Sequence, residues 1–163
     1  MRFLADHDPL TNLLNRRSFV QHLDAEVARS RRYARPLALV IFDLDELKTV
    51  NDTQGHTAGD EALKRVGDAL RATIRSGDNA FRIGGDEFAV IVPEATERDA
   101  HAAAQRIADE LQLAASFGVA ICEQDCDAGT LLREADGAMY RMKRRRRSGA
   151  LRNAEGDDLS AVV

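Results

Sequence analysis

The sequence predicts an α+β domain: an antiparallel sheet with flanking helices in the ferredoxin-like order β-α-β-β-α-β, and extra helices at both ends. Three observations carry that reading. Apolar residues recur at helical spacing in several separate segments. Leu37–Phe42 is a continuous apolar run, the mark of a strand buried on both faces. Two further strand-like segments, Phe81–Ile83 and Phe88–Val92, flank Gly84-Gly85, and paired glycines between strands signal a hairpin because they reach the positive φ that tight turns demand.

Taken in order, Asp8–Arg17 is a Pro-containing loop rich in helix-capping residues. Phe19, Val20, Leu23 and Val27 then make a helix from Arg16 to about Arg32. Pro36 separates it from the buried strand, which ends in Asp43-Leu44-Asp45. Glu46–Asp52 reads as a short helix and Thr53–Gly59 as a Gly-His loop. Leu63, Val66, Leu70 and Ile74 mark a long helix over Asp60–Arg75, with Asp60 and Glu61 favouring its positive end. After the hairpin, Thr96–Asp99 looks like a helix start, and Ala103, Ile107 and Leu111 are its inward stripe. Ala114–Cys122 reads as the fourth strand and Thr130–Lys143 as the last helix, with a disordered tail expected over 148–163.

Composition narrows the class. With 163 residues the chain suffices for one cored domain, and 44% hydrophobic with 31% charged residues is ordinary for a globular protein. The net charge of −4 argues against a nucleic-acid binder, and no run approaches the length of a membrane span. A cytoplasmic location is expected, and Cys122 and Cys126 are expected to be reduced thiols.

Chemistry concentrates at two places. Asp43 and Asp45 stand where the buried strand leaves the core, and Asp86 and Glu87 follow the hairpin glycines. In the predicted topology these strands are neighbours, so Asp43 and Asp86 can meet at one sheet end. Convergent carboxylates suit magnesium, which takes one or two of them and keeps positions for phosphate and water. The same acids read equally well as solvated strand ends.

Gly84-Gly85-Asp86-Glu87-Phe88 resembles the signature of GGDEF domains, the diguanylate cyclases that join two GTP into cyclic di-GMP with release of two pyrophosphates. The likeness spans roughly Asp8–Arg147. It includes D-P-L-T-N-L-L-N-R-R, D-L-D-E-L-K-T-V-N-D-T-Q-G-H-T-A-G-D, S-F-G-V-A and A-D-G-A-M-Y-R-M-K. The resemblance implies a nucleotidyl-cyclase or polymerase-palm architecture over residues 8–147, with residues 1–7 ending a linker helix from a missing N-terminal sensory domain. It implies that Asp43, Asp86 and the Leu44 carbonyl bind Mg²⁺ (or Mn²⁺), two ions per half-site. Glu87 is expected as an acid at the same place, Lys48 as a phosphate-neutralising lysine, and Asp45 and Asp52 in supporting roles. Asn51 and Asp60 would read guanine; a carboxylate accepts from N1–H and the 2-amino group, donors that adenine lacks there. Gly84, Gly85, His56, Lys143 and Arg147 would meet the phosphates or the loop over them. Two domains must face each other for two bonds to form, so a homodimer is expected. The alternative is an inactive module that binds GTP or cyclic di-GMP as a receptor.

Arg75-Ser76-Gly77-Asp78 matches the family's R-x-x-D product-inhibition motif in residues and in distance from the hairpin; it also reads as a helix-end arginine and a turn aspartate. The chain departs from the pattern in three ways. Leu47 replaces a phenylalanine. The connection before Ser116 is short, so that a peripheral hairpin is expected to be missing. Arg144–Arg147 replaces a glycine-containing stretch, which leaves the register of Arg147 open by about one residue.

Overall fold

The central strand explains the architecture. β1 (Leu37–Leu44) is buried at every position, and it pairs antiparallel with β3 (Glu87–Pro93) on one side and β4 (Ala115–Cys122) on the other. β2 (Asn79–Arg82) pairs with β3, completing a four-stranded sheet in the order β2-β3-β1-β4. This computed structural model describes the backbone of residues 5–159 and the side chains of residues 5–150. The predicted β-α-β-β-α-β order is present.

Helices cover both faces of the sheet. On one face, α3 (His56–Thr73) and α4 (Glu97–Glu110) pack Leu63, Val66, Leu70, Ala104 and Ile107 against Val40, Phe42, Phe88 and Val90. On the other, α1 (Arg16–Tyr33) and α5 (Ala128–Leu159) pack Phe19, Leu23, Leu131 and Met139 against Leu39, Ile41, Phe81 and Ile91. A strand sandwiched in this way has no solvated side, so β1 shows no alternation.

The helix starts follow local chemistry. Asn15 caps α1 by accepting from the Ser18 N–H at 3.0 Å, and Thr96 with Asp99 forms a reciprocal capping box on α4. α2 (Leu47–Gln54) is separated from α3 only by Gly55, at φ 88°. The expected Thr53–Gly59 loop thus shrinks to one residue, and His56 begins a helix instead of sitting in a loop. Glycine makes so short a break possible, and no capping side chain announces it.

The hairpin also differs from expectation. Its connection is Ile83–Asp86, and neither Gly84 nor Gly85 has a positive φ. Arg82 holds this wider turn, donating from Nε to the Gly84 carbonyl at 3.2 Å and from its terminal nitrogen to the Gly85 carbonyl at 2.9 Å. Asp8 in turn accepts from Arg82 at 3.1 Å.

At the C-terminal end, α5 continues through residues 148–159, where disorder was expected; residues 160–163 lie outside the described residues. Of the linker helix expected over 1–7, residues 1–4 also lie outside them, Ala5 and Asp6 are helical, and His7 bridges to Leu14. Cys122 and Cys126 form a disulfide, contrary to the expected thiols. β4 ends at Cys122, and a turn through Asp125 at φ 47° returns the chain so that the two Cα atoms are 5.5 Å apart, within bridging distance.

Candidate active site

The strand register lines up three polar residues at one end of the sheet. Asp43 lies opposite Glu87 on β3 and opposite Ser116 on β4. Directly opposed side chains share a face and approach closely, so the two carboxylates repel. Asp86 joins them from the hairpin: its carbonyl accepts the Leu44 N–H at 3.0 Å, tying the turn to the end of β1.

The electrostatics record this convergence. Burial pushes the Asp43 carboxyl above its ordinary value, the Asp86 charge pushes the same way, and a hydrogen bond from Lys143 opposes both. Burial likewise raises Glu87, with further contributions from Asp43, Asp86 and Asp136. The bond from the Leu44 N–H to the Asp86 carbonyl places Asp86 beside the end of β1, one residue from Asp43.

Helix α5 brings the compensating charge. Lys143 Nζ donates to Asp43 Oδ1 at 2.6 Å, and Arg146 lies 3.5 Å from Asp45 Oδ2. Residues three apart share a helix face, so both cations arrive together. Arg147, the arginine expected here, is exposed one position further on. The helix can approach this closely because β4 carries Gly118, where an added Cβ would run into the backbone at Ala135 and Met139.

Asp45 has a larger part than the sequence suggested. Ser116 Oγ donates to its Oδ2 at 2.8 Å. Its other oxygen is buried without a hydrogen-bond partner among the described residues. An orphaned buried acceptor marks a place where a donor or cation is wanted. Among the described residues no cluster of three His, Cys, Asp or Glu side chains is arranged to hold a metal. Carboxylates such as Asp43 and Asp86 are the hard oxygen donors that divalent cations take, with phosphate and water able to complete the set.

Asn51 on α2 reaches the first turns of α3 across Gly55. The Asn51 amide packs against the buried Gly59, leaving no space there for a Cβ, and Asp60 is the next residue. His56 is exposed at the start of α3, and Lys48 is exposed and pairs with Asp52 at 4.0 Å. Gly85 is open, with no atom near a Cβ placed there, whereas Gly84 is packed against Glu87.

Arg75 and Asp78 form a separate cluster after α3. Asp78 accepts from the Arg75 backbone N–H at 3.0 Å and from its Nε at 3.4 Å, around Gly77 at φ 106°. Arg106 on α4 donates to the Thr73 carbonyl at 3.5 Å beside this turn. The sequence reading did not include Arg106, which stands on a helix remote in the chain from the motif.

Comparisons with known proteins agree on the family. The family model described as "Diguanylate cyclase, GGDEF domain" matches residues 5–149. The chain is 38% identical over 154 residues to the diguanylate cyclase DosC of Escherichia coli K12, covering 86% of this chain and 34% of that protein. It is 40% identical over 155 residues to the diguanylate cyclase DgcS of Shewanella oneidensis, covering 88% of this chain and 51% of that protein. The chain thus spans between a third and a half of these relatives. Among solved structures, a microbial GGDEF domain characterised in its interaction with cyclic di-GMP is 39% identical with a TM-score of 0.81, covering 87% of this chain and 92% of that one. The diguanylate cyclase SiaD of Pseudomonas aeruginosa, in complex with its activator SiaC, is 31% identical with a TM-score of 0.83, covering 88% of this chain and 60% of that one. Fold, signature and family model coincide over the same residues, and the chain belongs to the GGDEF domain family.

Proposed function

We propose that this chain is a diguanylate cyclase module, condensing two GTP into cyclic di-GMP and two pyrophosphates. The observation that carries the reading is the convergence of Asp43 and Asp86 at the end of β1, beside cations from α5. In the reaction each ribose 3′-hydroxyl attacks the α-phosphorus of the nucleotide on the facing domain. The new P–O bond forms as the bond to the β-phosphate oxygen breaks, pyrophosphate leaves, and the hydroxyl proton passes to solvent or a nearby base.

Asp43, Asp86 and the Leu44 carbonyl are the groups that would hold Mg²⁺ or Mn²⁺. Bound there, the metal would neutralise phosphate charge and polarise the reacting oxygens. The remaining work falls to side chains. Lys143 and Arg146 supply positive charge for the triphosphate, and Lys48 adds an exposed cation on α2. Gly85 leaves the backbone accessible to phosphate. Asn51 and Asp60 read the guanine edge. Glu87 adds negative charge at the metal site. Because one domain supplies one nucleotide, turnover requires two domains face to face, with positioning as the main source of rate. Arg75 and Asp78 would bind product and inhibit, the planar guanidinium suiting both phosphate and a guanine edge.

The test is incubation with GTP and magnesium over a range of protein concentrations. Cyclic di-GMP should form, with specific activity rising with concentration, and formation should be lost in Asp86→Ala. Tight GTP or cyclic di-GMP binding without turnover at high concentration would point instead to a receptor module.

A further inference from the structure

The two edges of the sheet are treated differently. At the β2 edge, Leu14 bridges to Phe81 and its carbonyl accepts the Arg82 N–H at 2.8 Å, so the N-terminal segment covers that side. At the β4 edge no further strand pairs among the described residues. Only residues 111–114 connect α4 to β4, too few to form a covering hairpin.

We propose that the β4 edge accepts an extended, basic segment of a partner protein as an added strand. The Phe117 N–H points outward, where it donates to Met142 Sδ at 3.1 Å. Alternation along an antiparallel strand then turns the N–H and C=O of Val119 and Ile121 outward as well. Such an edge is a template for another chain unless Lys, Pro, a bulge or a covering helix protects it; Met142 of α5 covers it at Phe117, and the stretch at Val119 and Ile121 lies along an open groove. Residues 115–122 contain neither Lys nor Pro, and their pairing with β1 runs without interruption.

The surroundings choose the occupant. An open groove of about 940 Å³ runs along Val119–Gln124, between the start of α4 and the outer side of α5. Among the described residues, its rim carries Glu97, Glu123, Asp125 and Glu134 against a single cation, Arg141. Main-chain hydrogen bonds to an edge give affinity, and the neighbouring side chains select the sequence. Here they select lysine or arginine. A second copy of this chain would bring the same acids against themselves, which disfavours pairing of two β4 edges.

The probe is a short labelled peptide of alternating lysine and valine, with glutamate–valine and N-methylated lysine–valine versions as controls. The expected result is slowed amide exchange at Val119 and Ile121 with the lysine peptide alone. Affinity should fall about tenfold in the double variant Glu123→Lys, Glu134→Lys, whose surface changes leave the core intact. Val119→Pro, which removes an outward donor, should weaken binding too; the charge variant keeps the test valid if that protein fails to fold. Equal binding of the glutamate peptide, unchanged exchange at 119 and 121, or peptide-free dimerisation through β4 would each overturn the proposal.

Discussion

Lys143 Nζ sits 2.6 Å from Asp43 Oδ1, joining the last helix to the end of the central strand with side chains only 21% and 10% exposed. The lysine neutralises a carboxylate that burial and Asp86 otherwise drive toward its protonated form. Lys143→Met should therefore raise the Asp43 pKa further and lower stability by about 2 kcal/mol, between the costs for exposed and buried pairs. Asp43→Asn breaks the same pair but also removes the repulsion with Asp86 and Glu87, so its stability loss should be smaller than that of Lys143→Met, while cyclic di-GMP synthesis falls by more than about a hundredfold. Urea denaturation and nucleotide analysis of both variants provide the check; an unchanged midpoint for Lys143→Met means the pair does not form in solution.

The arginine run offers a sharper contrast. Arg146 faces Asp45 at 3.5 Å, and Arg147 is exposed. Arg146→Ala should reduce turnover about tenfold, as expected for loss of one charge-assisted phosphate contact, whereas Arg147→Ala should change it by less than about twofold. Steady-state kinetics at matched protein concentration decides between them. The reverse order of effects restores the register expected from the family pattern.

Arg75 and Asp78 are not equivalent within their turn. Asp78 is a structural acceptor, its side chain 6% exposed, and Arg75 is 55% exposed. Arg75→Ala keeps the backbone hydrogen bond to Asp78, so it should relieve product inhibition with initial rates and stability nearly unchanged. Asp78→Ala removes both hydrogen bonds and should also cost about 1 kcal/mol. Progress curves with added cyclic di-GMP, alongside thermal melts, separate the two effects. Persistent inhibition in Arg75→Ala would place product elsewhere.

Asp8 gives the acid limb of the stability curve. Burial alone would raise its pKa, but hydrogen bonds from Thr11 and the Arg82 pair outweigh it, and the folded value lies below the ordinary 3.8. The folded state then binds fewer protons than the unfolded state, so this stabilisation is present above pH 3.8 and lost as pH falls through the lower folded value. Asp8→Asn should be less stable at neutral pH and show a flatter decline below pH 4, a window set by that ordinary value of 3.8. Because Arg82 also holds the Gly84 and Gly85 carbonyls, the variant should loosen the hairpin turn. Parallel urea titrations across acidic pH test the sign; identical slopes for the two proteins contradict it.

What could be read beforehand follows from where the signal is local. β1 is legible because an unbroken apolar run ending in two aspartates has few other readings; topology suggests that Asp43 meets Asp86, but it does not foretell the register that sets Glu87 opposite Asp43. The start of α3 is not legible, since Gly55 breaks the chain without a capping side chain while Asp60 imitates a helix start. The hairpin glycines were expected at positive φ, but Arg82 bonds their carbonyls in a wider turn. The disulfide depends on a return through Asp125 that two cysteines in an acidic stretch do not signal. Four consecutive arginines have no period of their own, so the choice of Arg146 is made by how α5 lies on β4.

That contact gives the last prediction. A Cβ at Gly118 would meet the Ala135 carbonyl and the Met139 nitrogen, both backbone atoms that cannot swing aside. Gly118→Ala must therefore push α5 away from the sheet, at a cost of about 3 kcal/mol, the upper part of the over-packing range. Lys143 and Arg146 lie further along the same helix, so the displacement should also separate them from Asp43 and Asp45. Synthesis of cyclic di-GMP should then fall more steeply than the folded fraction does, even below the melting temperature. Measuring turnover and unfolding on one sample distinguishes this from simple destabilisation: activity that tracks the folded fraction would mean that α5 keeps its place.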